Sequence, residues 1–473
     1  MYTAGFAVQR ALGLVMLPLY TRAISPTEYG GLGILLSAAG VLVVLFSAGL
    51  DIWIVRTHFQ LASDPPRRDE ALASVWRFLL IYPLTASLVL SAIAWPFLGQ
   101  SHTVTGLDVL LMLVSTAVNV SGGTLPLNVL RARQALRPYL TMTAVTALTT
   151  PALTVLFVVI LKQGIEGWLV AAGLANIVTF GVAAVVVPWQ RHIRMNWRAI
   201  KRALTFSIPL IPHFISSWAL QLADRFVIAG IVSGPNLGLY SLAANLSTPV
   251  MILVLALSQG FMPTYAKAGA QRGASKELAN VVTLQLTIVV GFTLAGLMLG
   301  PTAVKLLSAS DYHAAAPLVP WIVLGYGFLG IYAVPMSGAT LGAGRQKFAW
   351  VASASSALTN VGLLVIFVPT YGIYAAAVAS AAGYFVLLVL MAVWAHARDN
   401  PVQYEWSRLV QRLVVAGVTY IGAALTLPHS VALGALTQVG WLTAFAAVMV
   451  VLELDRHGRL RRRHAGDRPA PIR

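Results

Sequence analysis

Two of the chain's 32 lysine and arginine residues, Arg10 and Arg225, stand deep inside long apolar segments. A guanidinium stays charged and offers a planar fork of donors, so it suits a phosphate or pyrophosphate. A charge in a bilayer core is costly and is seldom kept without a function. Polar groups gather around both arginines. Phe214, Trp218, Gln221 and Arg225 recur at spacings of four, three and four, which puts them on one helical stripe. Asp224 is next to Arg225, His213 lies upstream, and Gln9 precedes Arg10. Lipid would not face such a stripe, so it should line protein or water. The candidate anion-binding residues are therefore Arg10, Arg225, Gln221, Asp224, Trp218 and Gln9, with Arg56 extending the set. Asp224 and His213 could also carry a coupling proton. The competing reading has Asp224 neutralise Arg10 or Arg225, with the polar groups stapling helices together. Two arginines against one acid leave the local balance positive.

These residues need membrane helices to hold them. The chain is 58% hydrophobic and 10% charged, with a mean hydropathy of +0.79. Apolar runs of membrane-spanning length recur from end to end, which defines an all-α polytopic membrane protein and excludes a soluble one. The short alternating strands of a β-barrel do not occur. About 14 spans are expected, at 3–23, 30–55, 72–99, 106–130, 138–161, 165–188, 203–232, 237–265, 278–300, 316–341, 348–368, 372–396, 409–428 and 432–453. With these spans, 27 Lys and Arg residues fall on one side, and only Arg22, Lys162 and Lys305 on the other. That asymmetry places both termini in the cytoplasm. The net charge of +17 is spread over short loops, so it marks orientation rather than nucleic-acid binding. The basic tail at 456–473 suits anionic lipid headgroups. No cysteine occurs, which excludes disulfides, thiolate metal sites and cysteine nucleophiles. The first apolar segment begins almost at Met1, as a late-annotated start would make it.

A weak internal repeat appears at a shift of about 208 residues. Residues 25–32 (SPTEYGGL) fall on 233–240 (SGPNLGLY), and Gly164-Ile165 falls on Gly372-Ile373. An even number of spans per half makes this a parallel repeat. The expected divisions are a six-helix bundle at 1–190, an interfacial linker at 191–202, a second six-helix bundle at 203–400, two extra helices at 401–455 and a basic tail at 456–473. Arg10 matches Trp218, so the arginines sit on equivalent helices of the two halves. Pro209 and Pro212 are the pair expected to bend a helix functionally, ahead of Asp224 and Arg225. Asn119, Asn128, Asn245, Gln259 and Asn360 read first as helix-to-helix hydrogen-bonding groups, with sugar hydroxyls as an alternative partner. Nucleotide-binding and metalloprotease motifs are missing, and no metal-ligand spacing or cofactor site is seen. The longest outer loop, around 301–315, is too short for a catalytic domain.

The segment Leu17-Pro18-Leu19-Tyr20-Thr21-Arg22 through Glu28-Tyr29-Gly30 resembles the first helix and loop of the bacterial polysaccharide/oligosaccharide flippases. Phe206-Ser207-Ile208-Pro209 through Ala223-Asp224-Arg225-Phe226, followed by Leu237-Gly238-Leu239-Tyr240, is similar to that family's seventh and eighth helices. The family belongs to the multidrug/oligosaccharidyl-lipid/polysaccharide exporter superfamily. The resemblance implies two six-helix bundles in a V around a central cavity. It implies passage of undecaprenyl-pyrophosphate-linked oligosaccharide across the bacterial cytoplasmic membrane by alternating access, with Arg10 and Arg225 at the cationic cavity. Glycan polymerase machinery is a further partner it suggests. Lipid II flippases, also similar at Gln9-Arg10-Ala11-Leu12-Gly13, carry a second arginine where this chain has Met16. A lipid II flippase and a cation-coupled multidrug extruder are the alternatives within the architecture. An integral-membrane glycan polymerase is the alternative outside it.

Overall fold

The computed structural model describes residues 12–13, 15–98, 104–187, 195–232, 234–270, 276–337, 349–396, 404–428 and 430–466. Among them every regular element is helical. Two units divide the chain. One comprises Met1–Leu246, Leu307–Leu318 and Trp350–Gly383; the other comprises Ser247–Leu306, Val319–Ala349 and Tyr384–Arg473.

The first unit opens with α1 (Leu17–Ala23) and α2 (Pro26–Ser47). Ser25 and Glu28 start α2 with a reciprocal capping box that satisfies two of the backbone N–H groups a helix start leaves open. Ala48 (φ 49°) and Gly49 (φ 66°) then break the path before α3 (Leu50–Gln60). A Cβ at position 49 would lie 3.0 Å from the Ser207 carbonyl, so glycine is needed there for conformation and for space. Next come α4 (Pro65–Leu98) and α5 (Gly106–Asn119), the latter with a Thr105/Asp108 capping box.

Two wide π-helical turns follow, at Val120–Thr124 before α6 (Leu125–Ala132) and at Val155–Ile160 after α7 (Leu136–Thr154). Each lies close to a proline, Pro126 or Pro151, which disturbs the regular backbone ladder. The first turn carries Gly122, whose Cβ would meet the Phe180 side chain at 2.5 Å, so α8 (Gly164–Val186) approaches closely there. α8 packs along both α5 and α7. Two apolar cores lie among this unit's described residues. One is built on Phe46, Met112 and Leu169, the other on Leu50, Leu79, Leu130 and Met142.

The region expected as one span at 203–232 is broken. Asn196 caps α9 (Trp197–Ser207), a 3₁₀ turn covers Ile208–Leu210, and α10 (Ile211–Leu222) and α11 (Asp224–Ala229) follow. Pro209 lies in the 3₁₀ turn and Pro212 in the first turn of α10, so the change from α to 3₁₀ geometry falls where two backbone donors are missing. The chain continues through α12 (Gly234–Ala270), α13 (Lys276–Leu307), a 3₁₀ segment at Ser310–Leu318 and α14 (Val319–Ser337). The segment read as an outer loop at 301–315 is thus largely helical. Helix α15 (Ala349–His396) is one run only nominally. Gly372 adopts φ 62° and ψ −151° inside it, at the expected boundary between spans 11 and 12. The last elements are α16 (Trp406–Leu425) and α17 (Val431–Gly466). Eleven helical runs among the described residues are long and apolar enough to cross a membrane. The fourteen expected spans differ from this number for identifiable reasons. The first is described only from residue 12 onward, the seventh is interrupted, and the eleventh and twelfth share α15.

In the second unit, α16 and α17 pack together. Arg412, 3% exposed, is ion-paired with Glu453 between them. Thr302 on α13 donates to Gln438 on α17 at 2.9 Å.

Candidate functional site

Asp224 stands where α10 has ended and a new turn begins. Ala223 (φ −69°, ψ −21°) separates the two helices, and Asp224 is the first residue of α11. Its Oδ1 accepts the Arg225 backbone N–H at 2.8 Å and lies 3.3 Å from Arg225 Nη1. The pair is well buried, at 9% exposure for Asp224 and 6% for Arg225. Tyr240 on α12 donates its hydroxyl to Asp224 Oδ2 and also meets Ser380 on α15, at 3.0 Å. Arg225 Nη1 reaches the Gln221 carbonyl at 3.5 Å. Arg225 and Tyr240 thus meet the carboxylate directly, Ser380 on α15 and the Gln221 carbonyl on α10 join through them, and Arg225 and Asp224 neutralise one another locally.

The other candidates separate into different surroundings. Trp218 donates Nε1–H to the Ser37 carbonyl on α2 at 2.9 Å, which ties α10 to α2. The Gln221 side chain is exposed. Arg56 is exposed and lies 4.4 Å over the Phe206 ring, a cation–π contact away from the Asp224 network. Gln9 and Arg10 lie outside the described residues, as does the side chain of His213. The structure therefore joins Asp224, Arg225 and the Gln221 backbone, fixes Trp218 on α2, and leaves Arg56 apart. Near the C-terminal ends of α3 and α6, Asp69 is shared by Arg68 at 3.1 Å and Arg133 at 3.6 Å. Burial pulls the Arg133 guanidinium below its usual range, and Asp69 opposes that shift.

Ser380 does not stand out in the sequence, and Tyr240 enters there only within the motif Leu237-Gly238-Leu239-Tyr240, with no site role. They lie 16 and 140 residues from Asp224 or Tyr240, and only the fold brings them together. The readable signal was a hydroxyl inside an apolar run, at the position where the repeat has Leu32. Intramembrane amides mostly join helices. Asn119 donates to Asn176 at 3.2 Å, Asn128 to Asp51 at 2.7 Å, and Asn245 to the Tyr29 hydroxyl at 3.0 Å.

A second feature adjoins this network. A Cβ at Gly30 would lie 2.6 Å from the Gly234 carbonyl, and a Cβ at Gly238 only 1.8 Å from the Pro26 carbonyl. The 208-residue shift maps Pro26 onto Gly234 and Gly30 onto Gly238. Each glycine thus meets the repeat equivalent of the residue its counterpart meets. This is the reciprocal pattern of an isologous contact about a two-fold axis. Gly33, one turn along α2, faces Ser241 in the same way, with a Cβ placed 2.4 Å from its hydroxyl. Side chains at these positions would force α2 and α12 apart. Among the described residues no group of His, Cys, Asp or Glu is arranged to hold a metal ion.

A family model described as "Polysaccharide biosynthesis protein" matches residues 19–317, more than half the chain. No curated protein matches at a significant level. Among solved structures, the chain is similar to the lipid II flippase MurJ in an inward closed conformation, with a TM-score of 0.74 and 14% identity over 96% of this chain and 99% of that one. It is also similar to an inward-facing multidrug resistance MATE family transporter of the MOP superfamily, with a TM-score of 0.65 and 15% identity over 82% and 94% of the two chains. A MOP superfamily transporter from Pyrococcus furiosus, described as having a binding pocket of reverse polarity, gives a TM-score of 0.60 at 14% identity over 84% and 93%. At these identities the structural matches establish the fold alone, the family match covers α2, Asp224, Arg225, Tyr240 and the glycine crossing, and the chain belongs to the polysaccharide biosynthesis protein family.

Proposed function

We propose that this protein is a flippase that moves undecaprenyl-pyrophosphate-linked oligosaccharide across the bacterial cytoplasmic membrane by alternating access, with both termini in the cytoplasm. The observation that carries this reading is the α2–α12 crossing at Gly30 and Gly238, in a chain of a polysaccharide biosynthesis family. Two repeat-related helix ends meet there with almost no side chain between them. Such a contact can close one end of a pathway tightly and part as a unit, as alternation between two repeated halves requires. Lys162, one of the few basic residues assigned to the outer side by charge asymmetry, lies at that end, which makes it the outer one in this reading. The two six-helix halves are the bodies proposed to move.

The polar network qualifies how the headgroup is met. Arg225 is matched by Asp224, so it is not a standing positive site. Protonation of Asp224 would leave the guanidinium uncompensated and able to meet a pyrophosphate, with Arg10 as the second cation. Asp224 is then the coupling residue of the cycle.

The test is translocation in proteoliposomes. A glycan-cleaving enzyme outside the vesicles reads how fast inner-leaflet lipid-linked oligosaccharide becomes accessible. The wild-type protein should speed exposure well above protein-free vesicles. The Arg10→Ala, Arg225→Ala double variant should lose at least tenfold in rate at equal insertion. Wild-type rates equal to protein-free vesicles would overturn the function. Selective movement of lipid II instead would shift the assignment to that substrate.

A further inference from the structure

We infer that the 3₁₀ segment Ser310–Leu318 is a latch: it clamps the joint between α1 and α2 through Tyr312, and it must let go before the end of the first unit at the glycine crossing can open. The clamp is read from contacts; that its release belongs to a transport cycle rests on the flippase reading. Leu307–Leu318 belongs to the first unit, whereas α14 and all but the last residue of α13 belong to the second. A short strap of the first unit is therefore the direct continuation of two long helices of the second.

The joint needs an outside donor. Ile24 follows α1 with an extended backbone (φ −120°, ψ 132°) and is buried. Its carbonyl lies outside the helical ladder and away from water, where an unpaired acceptor is costly. Tyr312, fully buried, donates its hydroxyl to that carbonyl at 2.7 Å. Just upstream, the Ala309 N–H donates to the Thr21 hydroxyl at 3.1 Å, and that hydroxyl donates in turn to the Leu17 carbonyl at 3.0 Å. The strap thus grips α1 and its exit at two points. Its reach extends to α12. The Tyr312 ring stands edge-on to the Tyr29 ring, with centroids 5.8 Å apart, and Asn245 on α12 donates to the Tyr29 hydroxyl at 3.0 Å. Tyr29 directly precedes Gly30, whose close approach to Gly234 and Gly238 makes the crossing.

The ties are of a kind that can release. They are hydrogen bonds between neutral groups and one ring contact, each modest in strength. Among the described residues no ion pair involves the strap. A 3₁₀ run of nine residues is unusual, because its hydrogen bonds are poorly aligned, so the segment rearranges more readily than an α-helix would. The latch is also one-sided. At the 208-residue shift Tyr312 falls on Val104, which has no hydroxyl to give.

The experiment places single thiols in this cysteine-free chain and reads their rate of reaction with N-ethylmaleimide in nanodiscs. Ala316→Cys reports from a buried position in the strap, and Ala175→Cys from a buried position in α8. Tyr312→Phe keeps the ring and loses only the hydroxyl. It should speed labelling of Ala316→Cys about tenfold and leave Ala175→Cys unchanged. Thr21→Val should act in the same direction, and it decides alone if Tyr312→Phe fails to fold. Unchanged labelling at Ala316→Cys, or equal acceleration at both reporters, would overturn the latch. In proteoliposomes, a Thr21→Cys, Ala309→Cys pair closed by a mild oxidant should stop translocation, and a reductant should restore it. A cross-linked protein that translocates at the wild-type rate would overturn the latch as well. If the wild-type protein itself moves no lipid-linked oligosaccharide, the flippase reading falls, and the labelling rates still decide the latch.

Discussion

At the residue scale, the adjacency of Asp224 and Arg225 has a consequence that spacing alone misstates. The stripe of Trp218, Gln221 and Arg225 assumes one continuous helix, but the helix stops at Leu222 and restarts at Asp224. Arg225 lies against its own neighbour's carboxylate, and Tyr240 and Ser380 complete the arrangement. Removing one member of a buried ion pair leaves an uncompensated charge at a cost of about 3–5 kcal/mol, whereas replacing both can be nearly neutral. Asp224→Asn alone and Arg225→Met alone should each lower the unfolding temperature in detergent. The Asp224→Asn, Arg225→Met double variant should recover most of the loss. A double variant as unstable as the sum of the singles would show that the two side chains do not act as a pair.

At the element scale, close approach and breaks in helices matter more than the helices themselves. The spans were legible because twenty apolar residues in a row have few other solutions. Pro209 and Pro212 were legible as a break because proline removes backbone donors wherever it falls. The glycine crossing was half legible: the repeat aligned Gly30 with Gly238, but nothing local says that two backbones touch. Gly238→Ala would place a carbon 1.8 Å from the Pro26 carbonyl and must separate α2 from α12. Overpacking of this kind costs about 1–3 kcal/mol. Gly440, also within a helix, has nothing within 4 Å of its Cβ position and serves as the control. Gly238→Ala should destabilise the protein and lower translocation, and Gly440→Ala should be neutral or slightly stabilising. Equal effects at the two positions would remove the crossing's special role.

At the scale of the whole molecule, orientation follows from charge rather than from any contact. The 27 cytoplasm-assigned basic residues include Arg133 and Arg198, and the sparse set on the other side includes Lys162 and Lys305. Positive residues in short loops resist translocation, so the bias acts during insertion and leaves no bond in the finished fold to show for it. For the same reason the side assignment rests on the sequence alone, while the Asp224 network, made by residues far apart in the chain, is visible only in the fold. The chain has no cysteine, so single-cysteine variants need no background removal. Lys162→Cys and Lys305→Cys should react with a membrane-impermeant maleimide added to intact cells. Arg198→Cys should react only after the membrane is opened. All three positions are exposed or border exposed segments, so failure to label cannot be put down to burial. Labelling of Arg198→Cys in intact cells would invert the topology. The glycine crossing would then close the inner end of the pathway, and the direction of the proposed cycle would reverse with it.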